Sequence, residues 1–257
     1  MRALVETVVI DGATVRLRTL APAGRTRDTL APTVVLVHGL AGSSRSVRRL
    51  HEALSRGHRT IAVDLPGFGG VPDTARLLRA PDFAAVLEGA LRAHDVVDCL
   101  VVGHGFGGQV AVELGNRAPD LATSVGLLGP VVDDRRRQPW RQAADLVRDW
   151  FREPTSIRLR VTGGFLRSVG ATLPLLPSAI RQPLFKRVAD LGVPVLVVRG
   201  HADALSGHDW GRRLVGVAGE GALIELPGAH HVHEQQPGPV AAIVDEFLRV
   251  QSVGRLR

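Results

Sequence analysis

The segment Cys99-Leu100-Val101-Val102-Gly103-His104-Gly105-Phe106-Gly107-Gly108 decides the fold, and the rest of the chain is read outward from it. Cys99–Gly103 is short, continuously apolar and rich in β-branched residues, as a strand buried on both faces of a parallel sheet should be. Glycines close it, and a helical pattern follows over Gly107–Arg117. The same alternation recurs on both sides. Thr33–His38 and Thr60–Asp64 lie upstream, Ser124–Leu128 and Val193–Arg199 downstream, with Leu223–Leu226 a shorter strand candidate. Helical patterns fill the gaps near Val47–Ser55, Asp82–Ala93 and Val240–Val250. Val5–Ile10 and Thr14–Thr19 flank Asp11-Gly12, a pairing that reads as an antiparallel hairpin with a tight turn. Together these give an α/β fold: a doubly wound, mostly parallel sheet of eight strands with an antiparallel N-terminal hairpin.

One stretch breaks the rhythm. Residues 131–190 are too long for an ordinary connection and carry a helical pattern of their own, with Trp140, Ala144, Val147 and Phe151 at three- to four-residue spacing. Pro174, Pro177 and Pro183 are expected to break its later part. The stretch reads as a helical, lid-like insertion over the C-terminal edge of the sheet, inside a single domain spanning residues 1–257. Trp140 and Trp150 are candidates to line a pocket beneath it, although packing within the insertion is the plainer role.

Composition narrows the setting. Apolar residues make up 45% and charged residues 22%, a soluble globular balance, and no apolar run is long enough to span a bilayer. The N-terminal residues show no secretory leader, and the single cysteine, Cys99, excludes an intramolecular disulfide; a cytoplasmic location follows as the expectation. The formal charge is +7, almost all arginine, because Lys186 is the sole lysine. Residues 131–190 hold twelve basic and six acidic residues, so that segment carries most of the excess. Such a field suits an anionic ligand, a nucleic acid or a membrane surface, or is simply a solvated face. Nucleic acid is not expected: aromatic residues are 4% of the chain, tyrosine is absent, and no binding motif is present.

Four segments, taken in order, resemble the α/β-hydrolase family, in particular its lidded esterase, epoxide-hydrolase and haloalkane-dehalogenase-like branch. They are His38-Gly39-Leu40-Ala41-Gly42-Ser43-Ser44, Asp64-Leu65-Pro66-Gly67-Phe68-Gly69, Gly103–Gly108, and Gly200-His201-Ala202-Asp203 with Gly228-Ala229-His230, His233 and Pro237. The resemblance implies a strained turn presenting a nucleophile at a helix N-terminus, with Gly103, Gly107 and Gly108 allowing close helix–strand packing. It implies an oxyanion hole from the Leu40 and Phe106 N–H groups. It makes Asp203 the acid that orients His230, and His230 the better choice over His231 because His233 and Pro237 follow at the family's spacing.

The departure is at residue 105, where the family pattern G-x-S-x-G carries serine, or aspartate or cysteine in some branches. Gly105 has no atom with which to attack, although glycine tolerates a positive φ and the turn can persist. Ser43 and Ser44 lie near the expected oxyanion loop, which in the family's geometry does not aim a hydroxyl at a substrate carbonyl. Serine-type acyl transfer is therefore not expected. A His–Asp pair beside an oxyanion hole still supports activated-water hydrolysis, elimination, decarboxylation or proton transfer. The alternatives are a catalytically silent ligand- or partner-binding protein, or a Ser→Gly variant of an otherwise active hydrolase.

Other signals are weaker. Gly103–Gly108 also fits the dinucleotide fingerprint G-x-G-x-x-G after a strand, but the next strand ends in Gly129-Pro130 with Asp133 too far along to bind a ribose. No cofactor is expected. His230, His231 and His233 suggest a metal, yet their spacing is crowded and no acidic or cysteine partners gather as a zinc site requires, so none is expected. His38, Gly39 and His104 are pocket candidates by position, with His104 more often structural, and Asp64 is read as closing a turn. The expected function is action on a small, carbonyl-containing and possibly anionic molecule, with oligomeric state left open.

Overall fold

A computed structural model of the protein describes residues 3–22 and 32–254; the single-domain reading over 1–257 includes termini and a loop outside these residues. The elements run β1 (Leu4–Ile10), β2 (Ala13–Leu20), β3 (Thr33–Val37), α1 (Arg48–Leu54), β4 (Thr60–Asp64), α2 (Ala80–Arg92), β5 (Cys99–His104), α3 (Phe106–Arg117) and β6 (Ala122–Leu128). Four helices follow: α4 (Pro139–Arg152), α5 (Thr155–Arg167), α6 (Val169–Arg181) and α7 (Leu184–Ala189). The chain ends with β7 (Val195–Gly200), α8 (His208–Val217), β8 (Gly221–Leu226), α9 (Val232–Gln235) and α10 (Pro237–Gly254).

The eight strands form one sheet in the order β1-β2-β4-β3-β5-β6-β7-β8. β2 runs antiparallel to both neighbours, and the other pairings are parallel. Asp11 and Gly12 both take positive φ in the β1–β2 turn (49° and 79°), as the primed turns of tight hairpins require. Side-chain alternation divides the core. Val35, Val37 and Val101 pack with α2, α3 and α7 on one face, while Val34, Leu36, Leu100 and Val102 pack with α1 and α10 on the other. This explains the near-continuous apolarity of the central strands. The chain moves from β3 to β4 on one side and to β5 on the other, so a crevice opens at the carboxyl ends of β3 and β5.

Two glycines let α3 sit against that edge. A methyl group on Gly103 would stand 2.1 Å from the Gly107 carbonyl oxygen, and one on Gly107 would stand 2.4 Å from that of Val37. Neither backbone has room for any side chain.

The β6–β7 segment departs from the sequence reading in two ways. Pro174 and Pro177 lie inside α6 rather than ending it. Each removes one i→i−4 bond, but Gly170 and Leu173, whose carbonyls lose a donor, are exposed, so water can satisfy them. The second departure is the orientation of α4. Its apolar stripe faces out, with Trp140 66% and Phe151 69% exposed, while Asp145 and Asp149 are buried. The aromatic residues therefore do not pack the segment from within. The inward face is acidic because it meets backbone N–H groups and basic side chains, as the site shows. Helix α8 had no counterpart in the sequence reading; Trp210 and Leu214 bury its inner face.

Candidate functional site

Five loops at the carboxyl ends of the parallel strands converge. The β3 loop brings Gly39 and Leu40, the β5 turn brings Gly105, and the β6 loop brings Gly129 and Val131. Asp203 follows β7, and His230 follows β8. Gly105 takes φ 54°, ψ −115° directly before α3, a conformation that glycine reaches without Cβ strain. Its N–H donates to the Leu128 carbonyl at 3.0 Å, and its own carbonyl accepts from the Gly108 N–H at 3.0 Å, so the turn is fixed from both sides.

His230 and Asp203 are both buried, and His230 Nδ1 lies 3.0 Å from Asp203 Oδ2. Asp203 Oδ1 accepts from the Leu205 and Ser206 N–H groups at 2.9 and 2.8 Å, which locks the carboxylate. With Nδ1 turned to Asp203, Nε2 faces the β5 turn: a methyl group at residue 105 would stand 3.4 Å from it and 3.8 Å from Val131 Cγ1. Phe106 opens α3, where the first N–H groups lack intrahelical acceptors, and the Leu40 N–H likewise donates to no backbone carbonyl among the described residues. Burial opposes charge on the His230 ring, but Asp203 first, then Asp149 and Glu153, overcome it and push its pKa up to about 9.

Asp149 and Glu153 went unseen in the sequence. Both lie at the C-terminal end of α4 and reach under the dyad. Asp149 Oδ1 accepts from the His230 and Ala204 N–H groups, each at 3.3 Å. Glu153 Oε1 accepts from the His231 N–H at 2.8 Å and lies 2.9 Å from His231 Nδ1, while Oε2 takes the Gln235 amide. Arg152 donates to the Ala202 carbonyl at 2.9 Å, and Arg160 pairs with Glu234. Helix α4 thus grips the segments carrying both dyad residues. Burial raises the Asp149 pKa; Glu153, also opposed by burial, is drawn down by its hydrogen bond to His231. The one available signal was the spacing Asp145, Asp149, Glu153, four residues apart, on the side of α4 opposite Trp140 and Val147.

These acids also correct the view that no acidic partners gather near the histidines. Asp149, Glu153 and His231 each offer a ligand atom within 4.8 Å of the others. Both Glu153 oxygens and Asp149 Oδ1 accept hydrogen bonds from within the chain.

Several residues expected near a pocket are engaged with neighbouring loops. His38 is buried, with Nδ1 donating to the Gly39 carbonyl at 2.8 Å and Nε2 accepting the Leu65 N–H at 3.2 Å; it ties the β3 and β4 loops together. Burial holds its pKa below the usual value. Gly39 packs against His104, where a methyl group would meet Nδ1 at 3.0 Å. His104 is the hub of four histidines, its ring 4.4–4.8 Å from those of His230, His231 and His233. Its Nε2 lies 3.3 Å from the His230 carbonyl oxygen, and burial and then its histidine neighbours hold its pKa well down. His233 bonds the Ser46 carbonyl at 3.1 Å, and burial, more than its neighbours, lowers its pKa to about 3. Ser43 caps a short 3-10 turn, and the Ser44 N–H donates to Asp64 Oδ1 at 2.6 Å. Asp64 therefore ties two loops together, with Arg18 on its other oxygen, instead of closing its own turn. Trp140 and Trp150 are 66% and 39% exposed on α4.

The chain belongs to the α/β-hydrolase family, whose sequence profile matches residues 34–243. Among curated relatives, an acetyltransferase component of the acetoin cleaving system of Pseudomonas putida is 28% identical over 229 residues, 79% of this chain and 59% of its own length. Epoxide hydrolase 3 of Xenopus tropicalis is 33% identical over 98 residues, 37% of this chain and 27% of its own. The chain thus spans less than two thirds of either relative. Among solved structures, a thermophilic esterase shares the fold at a TM-score of 0.77 and 22% identity, over 96% of this chain and 98% of that one.

Proposed function

We propose that the protein acts on a small carbonyl-containing molecule without a serine nucleophile. In this reading His230 moves a proton, Asp203 holds its tautomer and stabilises its cation, and the Leu40 and Phe106 N–H groups stabilise a developing oxyanion. The observation that carries it is the ordered Asp203–His230 pair, 3.0 Å apart, with Nε2 aimed at the vacant position of Gly105. Residue 105 supplies backbone shape and space, and a water or an acidic substrate hydrogen would occupy that space. Water activation, elimination, decarboxylation and proton transfer all fit. The helical β6–β7 segment acts as a lid, and its arginines favour an anionic substrate. The buried Cys99 thiol suits a reducing, cytoplasmic setting.

A second reading rests on the charge of the ring. With a pKa near 9, His230 is an imidazolium at neutral pH, a group that holds an anion as readily as it moves a proton. On that reading the protein binds a ligand without turnover. The Ser→Gly variant of an active esterase is a third, supported by the room left at residue 105.

The test is a screen of short-chain aryl esters and small carbonyl acids against the parent chain and His230→Ala. Turnover lost with His230→Ala establishes the serine-free mechanism. Ligand binding by the parent with no turnover on any substrate overturns it in favour of the binder.

A further inference from the structure

We propose that the outward face of α4 docks on a phospholipid surface rich in anionic headgroups. At about 100° per residue, Trp140, Val147 and Phe151 fall on one stripe of α4, with Leu146 and Trp150 beside it. Trp140, Val147 and Phe151 are 66%, 56% and 69% exposed. Arg141, Arg148 and Arg152 border the stripe along one edge. The third face is the acidic one, Asp145 and Asp149, turned into the protein. Arg158 of α5 stacks 4.9 Å from the Trp150 ring, and the next residue, Leu159, is 71% exposed.

This burial pattern is the reverse of a helix packed on its own protein. The apolar residues are in water and the carboxylates are inside. Large aliphatic and aromatic side chains gathered on one exposed helix face mark a surface that another body covers. Its charge selects the occupant. Asp145 is shared between Arg136 and Arg148, and Arg141 stacks over the Trp140 ring, so the rim stays positive. A second copy of the chain would bring a rim of the same positive sign to this one. Exposed tryptophans with flanking arginines suit the headgroup layer, where indole rings sit and cations meet anionic lipid. Among the described residues no helix is long and apolar enough to cross a membrane, so the contact is one of lying on the surface.

The experiment is co-sedimentation of the full chain with phosphatidylcholine vesicles and with phosphatidylcholine–phosphatidylglycerol vesicles, at low and high salt, with tryptophan fluorescence recorded in parallel. The expected result is binding to the mixed vesicles that falls as salt rises, with a blue shift in emission. Trp140→Ser combined with Phe151→Ser should lower the partition coefficient by roughly tenfold or more. Arg141→Glu should remove the preference for the anionic vesicles. These side chains are exposed, so melting temperatures should match the parent and separate a docking defect from misfolding. Absence of binding by the parent overturns the proposal. So does equal binding by the double variant, or a dimer in sedimentation equilibrium that the double variant abolishes.

Discussion

Serine at residue 105 is the sharpest probe of the site's geometry. Gly105 takes φ 54°, ψ −115°, a region that costs an L-residue about 1–3 kcal/mol. Space is not the obstacle, since the new Cβ would stand 3.4 Å from His230 Nε2 and 3.8 Å from Val131 Cγ1. One bond further, the hydroxyl reaches the ring and returns about 1 kcal/mol as a hydrogen bond. The net loss is about 0–2 kcal/mol, which for a chain of this length lowers the melting temperature by no more than roughly 8 °C. Gly105→Ala carries the same strain without the hydroxyl and serves as the control. Measured on a short-chain aryl ester, Gly105→Ser should exceed Gly105→Ala by at least about a hundredfold and be labelled by a fluorophosphonate. Because His230 must be neutral to accept the serine proton and its pKa is near 9, the rate should climb with pH to about 9. A folded Gly105→Ser that neither labels nor turns over would refute the reasoning that the dyad and the two amides are set for acyl chemistry. A much larger loss of stability would refute the estimate of room.

Three further outcomes follow from the same geometry. Asp149→Asn removes a carboxylate that favours the imidazolium, so the His230 inflection should move down from about 9 in an NMR titration; an unmoved inflection takes α4 out of the site's electrostatics. Stability should be greatest near pH 6.5. The raised His230 pKa supports the fold fully below 6.5 and loses roughly 3 kcal/mol of support as pH rises through about 9. His104 and His233, held neutral in the fold, act in the opposite sense and weaken it as pH falls below 6.5; urea midpoints that change monotonically across this range would contradict the assignment. Gly107→Ala should cost at least about 3 kcal/mol, because its methyl group would stand 2.4 and 2.6 Å from two backbone oxygens, whereas Gly216→Ala, with nothing within 4 Å on a helix, should stabilise by about 0.5–1 kcal/mol in thermal melts.

The central strands were legible because burial on both faces leaves no polar alternation to misread. The edge strand β8 was read short, since its half-buried residues carry a weaker signal. Helix α8 was missed because Gly211 and Gly216 thin its pattern, and only Trp210 and Leu214 mark its inner face. The pairing of His230 with Asp203 was anticipated through the resemblance to the family, and the two side chains lie 3.0 Å apart. What sequence could not give was partner assignment. Asp149 meets the His230 backbone 81 residues away, and nothing local distinguishes it from a solvated acid. The same gap misdirected the aromatic stripe of α4 inward, since an apolar face normally marks the core side. His38, His104 and Ser43 spend side-chain hydrogen bonds on neighbouring loops.

Helix α4 also joins the histidine loop on one side to the outer surface on the other. Its carboxylates hold the backbone of the histidine loop, and its aromatic residues meet the outside, across the width of one helix. Any contact outside that favours one position of α4 over another alters the fraction of molecules in which Asp149 and Glu153 engage that loop. Thermodynamic reciprocity then requires that a ligand seated against His230 change the affinity of the outer face by the same factor. The proton on His230, held by Asp203 first and then by Asp149 and Glu153, is the gauge on which such coupling would register.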